Sequence, residues 1–254
     1  MDLNADVGES FGLWRLGDDE ALLSLVTSAN VACGFHAGDP SVLRRTTAHA
    51  ARRSVAIGAQ VAYRDLVGFG RRFMDIRPEE LRDDITYQIG ALDTFARLAG
   101  STVTYVKPHG ALYHAVVEHE EQALAMVEAV AAYSRTTSRE LALLGQPGSA
   151  LLTAADKLGL RTVREAFADR GYDVSGQLLP RDAPDALVTD LVAVAERAVR
   201  MAVKGEVVTS DGSVVLVTTE SICVHGDTPR AVEIARSVRT ALENAGVELA
   251  PFAP

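Results

Sequence analysis

A lysine and a histidine close the run Val103-Thr104-Tyr105-Val106-Lys107-Pro108-His109, and this is the chain's clearest chemical signal. A cation at the end of an apolar strand, where water is partly excluded, can hold a carboxylate or stabilise an oxyanion. Pro108 fixes the turn, and His109 can exchange protons. The alternative is a surface lysine beside a loop histidine. A second cluster is Asn4, Asp6 and Glu9. In a strand Asn4 and Asp6 point to one side, which puts an amide and a carboxylate in one mouth; the alternative is a chain start that makes turns and caps a helix. A third is Asn30, Gly34 and His36. Asn30 lies in an apolar strand and must find partners, Gly34 lets the backbone approach a ligand, and His36 can ligate a metal or carry a proton. Asn30 can equally tie neighbouring loops together, and Asp39 reads as a helix cap. In the fourth, Glu165 to Tyr172, Arg170 can grip a carboxylate with two hydrogen bonds. Asp169 can orient it or act as a base, or the two can form a pair within the loop. The fifth centres on His225 after an apolar piece, with Cys223 read as a packed small side chain. His114 and His119 fall on a polar helical stretch and read as solvated.

Positioning these groups requires strand ends. Short β-like runs alternate with longer helical patterns, which favours a parallel sheet. The runs are 2–6, 26–32, 55–61, 102–107, 140–144, 162–166 and 214–218, with a further extended piece at 221–224. Pro78 and Gly100 bracket a helix whose apolar face is Leu81, Ile85, Ile89, Leu92 and Leu98. Helices are also expected over 119–133, over 184–203 and from Asp227-Thr228-Pro229 to Gly246. His36-Ala37-Gly38-Asp39-Pro40 and His225-Gly226-Asp227-Thr228-Pro229 share a layout of histidine, glycine turn, acidic cap and proline. Two alike βα units suit a barrel in which polar residues gather at the strands' C-terminal ends.

Bulk properties narrow the class. The 254 residues are 48% hydrophobic, enough for one α/β barrel over 1–254 or for two small domains, and the barrel is preferred. A formal charge of −9 argues against nucleic-acid or anionic-membrane partners. Two distant cysteines argue against a disulfide framework or a thiolate zinc site. No basic, apolar leader and no span of about 20 apolar residues is present, so a cytoplasmic location is expected. The templates GxxxxGK[ST], HExxH and GxSxG are missing. Gly68-Phe69-Gly70-Arg71-Arg72-Phe73 starts like a dinucleotide fingerprint but ends in phenylalanine, and is rejected.

Taken together, LNADVGESFG, GDDE, SANVACGFHAGDP, DLVGFGRRFM, YQIGAL, VKPHGALY, EAFADRGY and CVHGDTP resemble the LamB/YcsF family, from residue 2 to about 229 and in one order. The resemblance implies a distorted α/β barrel of about seven strands, similar to the glycoside hydrolase/deacetylase fold. It implies action as the A subunit of 5-oxoprolinase, with ATP as co-substrate and with B and C subunits as partners. 5-Oxo-L-proline, ATP and water would give L-glutamate, ADP and phosphate. Because the chain has no nucleotide loop, ATP use is expected to depend on the complex. On this reading Lys107 and Arg170 hold the substrate carboxylate or the developing oxyanion. Asp6, His36 and His109 handle protons or a divalent ion, with Asp169 as a further catalytic group. Asn30 and His225 position the lactam, and Asn4, Glu9, Gly34 and Tyr63 complete the substrate site. In one place the chain departs from the family: after Ile57-Gly58-Ala59, where relatives carry His-Pro, it has Gln60-Val61. Glutamine cannot carry a proton at neutral pH and is a poor ligand for soft divalent metals. Two other readings follow from the same residues: a metal-dependent deacetylase or amidohydrolase that needs no ATP, and a non-catalytic binding subunit.

Overall fold

The computed structural model describes residues 1–181 and 183–253. In chain order the elements are β1 (Asp2–Val7), α1 (Asp19–Leu22), β2 (Ser28–Ala32), α2 (Pro40–Arg52), β3 (Ala56–Val61), α3 (Pro78–Leu98), β4 (Val103–Pro108), α4 (Gly110–Glu118), α5 (Glu120–Thr137), β5 (Ala142–Gly145), α6 (Ala150–Lys157), β6 (Thr162–Phe167), α7 (Leu191–Lys204), β7 (Glu206–Val208), β8 (Val214–Leu216), β9 (Ser221–Val224) and α8 (Ala231–Asn244). Among the described residues seven parallel strands close a barrel in the order β1-β2-β3-β4-β5-β6-β9, while β7 and β8 form a separate antiparallel ribbon. The α/β barrel expected from the sequence is therefore present. Two strand assignments change places. The run at 214–218 belongs to the ribbon, and the short piece at 221–224 is the strand that closes the barrel between β6 and β1.

Alternation in the strands sorts residues between two environments. Leu3, Ala5 and Val7, like Ile57, Ala59 and Val61, face the helices and join the main apolar core. Their neighbours in sequence face the barrel axis. A smaller apolar cluster of Ala56, Tyr105, Ala142, Leu144 and Val163 fills the barrel near the strands' N-terminal ends. Gly58 makes room for it: a Cβ there would lie 2.1 Å from the Tyr105 ring.

The long helix α3 shows why its sequence is legible. Pro78 starts it, Gly100 follows its end with φ +80°, and Leu81, Ile85, Ile89, Leu92 and Ala96 are fully buried. Each of the leucines and isoleucines contributes about 1.5–3 kcal/mol of burial. Leu98, expected on this face, is 77% exposed, because the stripe runs on through Ala96 instead. Asp39 caps α2 as expected, accepting from the backbone N–H groups of Ser41 and Val42. The matching motif behaves differently. The last helix begins at Ala231 rather than Pro229, with Arg230 in left-handed conformation before it, and Asp227 is left free for other work. The helix expected over 184–203 begins only at Leu191, capped by Asp190. His119 is not simply solvated: its Nδ1 accepts from the Gln122 N–H and caps α5. No helix among the described residues is long and apolar enough to cross a membrane.

Candidate active site

Every polar group singled out at a strand end lies at the same end of the barrel. Glu9, His36, His109, Asp169 and His225 follow β1, β2, β4, β6 and β9 by one to four residues. A cavity of about 720 Å³ opens there, lined by Asp6, Gln60, Arg71, Lys107, His109, Tyr113, His114, Phe167, Arg170, Arg181 and His225 among others. This volume is in the range of small-molecule sites.

Lys107 sits at the cavity's base, 2% exposed. Its Nζ donates to Glu165 Oε1 at 2.7 Å and lies 3.3 Å from Asp6 Oδ1 and 3.2 Å from Cys223 Sγ. Burial alone would favour a neutral amine, but Asp6, Cys223 and Glu165 outweigh it and hold the pKa well above the usual lysine value. The ammonium is thus a fixed charge. Burial likewise opposes ionisation of Asp6, yet Lys107, His225 and the Asn30 hydrogen bond bring its pKa below the ordinary carboxylate value.

Across the mouth stands an acid–imidazole pair. Asp169 accepts from the His225 backbone N–H at 3.0 Å and meets His225 Nδ1 at 3.0 Å. Phe167 stacks on the His225 ring with centroids 5.3 Å apart. A proton on Nδ1, held by the carboxylate, leaves Nε2 as the basic atom of the ring. Burial raises the Asp169 pKa, but His225 more than compensates, so the net shift is downward.

A third group is Glu9, His36 and His109, whose ligand atoms all lie within 4.8 Å of one another. Glu9 Oε1 is 3.8 Å from Nε2 of each histidine. The two imidazoles stack with centroids 3.9 Å apart. Among the described residues, both ring nitrogens of His36 and Nδ1 of His109 are buried without a hydrogen-bond partner. Burial pushes the His36 pKa down to about 4. Burial, then the neighbouring His36 and Arg71, keeps that of His109 well below the usual histidine value. Neutral imidazoles with free nitrogens beside a carboxyl are the donor set a divalent ion requires. The residues present therefore fit such an ion.

The glycine-rich loop that fails as a dinucleotide fingerprint covers this trio. Phe69 stands perpendicular to both imidazoles, with centroids 5.6 and 5.4 Å away. Gly70, at φ +67°, lets the chain press close: a Cβ there would lie 2.8 Å from His36 Cβ and 3.0 Å from His109 Nδ1. Arg71 stacks over Phe69 and pairs with Asp227, which Arg181 also holds at 3.2 Å. The segment Gly68–Phe73 is thus a clamp, and its glycine spacing has a structural cause unrelated to dinucleotides.

Several expected assignments need correction. Asp6 is not grouped with the two histidines; Glu9 takes its place, because Asp6 points along the barrel axis to Lys107. Asn4 and Asn30 lie beneath the cavity and outside its lining. Asn30 Nδ2 donates to Asn4 Oδ1 and Asp6 Oδ1, Asn4 Nδ2 donates to Glu165 and Ser221, and the Tyr105 hydroxyl donates to Asn30. These amides are fully engaged in holding strands together. Tyr63 faces away from the axis, and its hydroxyl donates to Gln122 on α5. Gly34 forms a turn with Ala37 outside the cavity. Arg170 does line the cavity, but its guanidinium donates to the Ala186 and Leu179 carbonyls, and Asp169 pairs with His225 instead. Gln60 lines the cavity with both amide atoms unpartnered among the described residues, where a histidine would offer a ring nitrogen. His114 stands exposed at the rim.

Glu165 belongs to the site but lies outside the set expected from the sequence, although alternation in β6 signals it. Val163, Glu165 and Phe167 share the inward face while Arg164 is exposed. Arg71, Arg181 and Asp227 had no such signal, since loop geometry alone brings them to the rim.

The architecture is that of a (β/α) barrel protein with charged and imidazole groups converging at its C-terminal mouth. The chain belongs to the LamB/YcsF family, whose model matches residues 1–254. It is 58% identical over 253 residues to the 5-oxoprolinase A subunit of Streptomyces coelicolor, covering 100% of both chains. It is 56% identical to the 5-oxoprolinase A subunit of Mycobacterium ulcerans, covering 99% of this chain and 98% of that one. The crystal structure of the lactam utilization protein from Thermus thermophilus superposes with a TM-score of 0.92 at 46% identity, covering 99% of each chain.

Proposed function

We propose that this chain is the A subunit of a 5-oxoprolinase and opens the lactam ring of 5-oxo-L-proline in an ATP-dependent complex with B and C subunits in the cytoplasm. The observation that carries the reading is the single cavity shared by a fixed cation, Lys107, and an oriented imidazole, His225. The full-length likeness to subunits named for that activity, and to a lactam utilization protein, supports it.

A lactam is a poor electrophile. Transfer of a phosphoryl group from ATP to the lactam oxygen activates the carbon. Water then adds to that carbon, the C–N bond breaks and the nitrogen takes a proton. The acyl phosphate left behind is hydrolysed by a second water. His225, aligned by Asp169, is placed to accept the proton of the attacking water and return it to the leaving nitrogen. Lys107 offsets negative charge as it develops on oxygen. Arg71 and Arg181 give the rim a positive character suited to a substrate that carries a carboxylate and a phosphoryl group. ATP itself is assigned to the assembled complex, in keeping with the lack of a nucleotide loop.

Glu9, His36 and His109 would hold a divalent ion. Such an ion polarises a bound oxygen or lowers the pKa of a bound water. The same trio favours a second reading, an amidohydrolase that works without ATP.

Reconstitution with B and C subunits, following ATP-dependent glutamate release, tests the assignment. Lys107→Met should lower turnover about 10²-fold or more. Unchanged turnover would remove Lys107 from the chemistry. Hydrolysis of acetylated amides by the isolated chain plus a divalent ion, with no need for ATP, would favour the second reading.

A further inference from the structure

Leu13 is 97% exposed, Val67 is 93% exposed, and Trp14, the chain's one tryptophan, is 72% exposed. Burial of apolar side chains is the main force that folds a protein, and these three contribute little of it. All lie at the cavity end of the barrel. Leu13 and Trp14 belong to the loop between β1 and α1, and Val67 to the loop between β3 and α3. The second loop also carries Phe73, which is exposed and lines the cavity.

Both loops are held firmly. Phe11 and Trp14 exchange backbone hydrogen bonds at 3.0 and 2.9 Å and stack their rings 6.0 Å apart, so the turn between them keeps Leu13 pointing outward. The Gly12 N–H donates to Asp39 Oδ2. In the second loop the Asp65 carboxylate accepts from the Gly68 N–H and from Arg72, which fixes the turn that bears Val67. The two loops rest on the same segment after β9: a Cβ on Gly17 would lie 3.0 Å from the Gly226 oxygen, and Arg71 pairs with Asp227. They therefore meet on one stretch of the rim. Firmly held, exposed apolar side chains around a site mark a surface that another protein covers, and tryptophan is enriched among the residues that dominate such contacts.

We propose that this rim docks the nucleotide-bearing subunit of the 5-oxoprolinase complex face-on over the cavity mouth. The proposal rests on the reading of the chain as a 5-oxoprolinase A subunit. The chain has no nucleotide loop, so ATP held by another subunit must be brought to the lactam. The barrel's opposite end is filled, because Phe252 packs on Tyr105 with centroids 4.8 Å apart among Ala56, Ala142 and Leu144. The mouth is the open approach, and a small lactam fills only part of its 720 Å³ cavity. Charge points to the same kind of partner. The loop over 62–77 holds four arginines against two aspartates, in a chain whose formal charge is −9. The surface that fits it is apolar at its centre and acidic towards its edge.

The single tryptophan makes the test direct. Fluorotryptophan incorporated into the full chain gives one fluorine resonance, from Trp14. Addition of B and C subunits should shift and broaden it. Leu13→Asp should weaken association with those subunits at least about tenfold in calorimetry. Leu98→Asp, at an exposed position on the barrel's other end, should bind as the parent does. Both variants should unfold in urea like the parent, since both side chains are exposed. Assembly that leaves the Trp14 resonance unmoved, or that Leu13→Asp does not weaken, would overturn the proposal. A resonance that moves with the concentration of this chain alone would assign the surface to a second copy and overturn it as well. Failure of the unaltered chain to assemble with B and C subunits has a different meaning: it counts against the 5-oxoprolinase reading, and the docking site falls with it.

Discussion

The barrel interior holds two polar regions that differ in one respect. Deep in the barrel, Asp2, Asn4, Ser28, Asn30, Tyr105 and Ser221 form a network in which the amides and hydroxyls find partners. Asp2 accepts from Thr27, Ser28 and Ser221, and Asn30 both donates and accepts. Nearer the mouth, His36, His109, Gln60, Tyr113 and Glu165 keep buried polar atoms without partners among the described residues. Leaving such atoms unpaired costs about 1–3 kcal/mol each. Satisfied groups thus serve the fold, and unsatisfied ones are kept for something that binds.

The largest effect is expected in the lower network. Asn30→Leu removes the acceptor of the Tyr105 hydroxyl and a donor to both Asn4 and Asp6. It should destabilise the protein by about 2–4 kcal/mol in urea unfolding. A loss under about 1 kcal/mol would mean that the lower network is not structural. Acid acts on the upper region at an intermediate scale. His36 titrates near 4 when folded and near its ordinary 6.5 when unfolded, so the unfolded chain binds more protons between those values. Stability of chelator-treated protein should therefore fall as pH drops from about 6.5 towards 4, by up to about 1.4 kcal/mol per pH unit for one such histidine. Melts at a series of pH values check this, and a flat profile would contradict it. The smallest effect belongs to His36→Leu. The substitution takes out of the site two buried nitrogens that are unpaired among the described residues, so stability should hold or rise slightly rather than fall. The variant should lose part of the acid sensitivity and bind divalent ions more weakly in calorimetry.

Much of this plan is legible in the sequence, and the reasons are local. Alternation places Asn4 with Asp6 on one face, and caps and periodicity place α2 and α3. What alternation cannot show is depth along the barrel. Asn30 and Lys107 both face the axis, but strand register puts Asn30 beside Gly58, where the Tyr105 ring fills the space, and Lys107 beside Gln60 at the open cavity. The exchange of Asp6 for Glu9 in the trio has the same cause, since it depends on where β1 stops. Loop partners such as Phe69 over His36, or Asp227 between Arg71 and Arg181, depend on chain paths that no short-range pattern encodes. The ribbon strand at 214–216 and the barrel strand at 221–224 both read as short apolar runs, and only closure distinguishes them.

That closure has a consequence for how the molecule is made. β1 pairs with β9, joining Asp2 to Ser221 across almost the whole length of the polypeptide. While the chain is emerging from a ribosome, its first strand has an open edge until nearly everything else has been synthesised. Pairings so distant in sequence form slowly. A nascent chain stalled before residue 221 would display unpaired β1 and β6 edges, the kind of surface that holdase chaperones cover and that promotes aggregation.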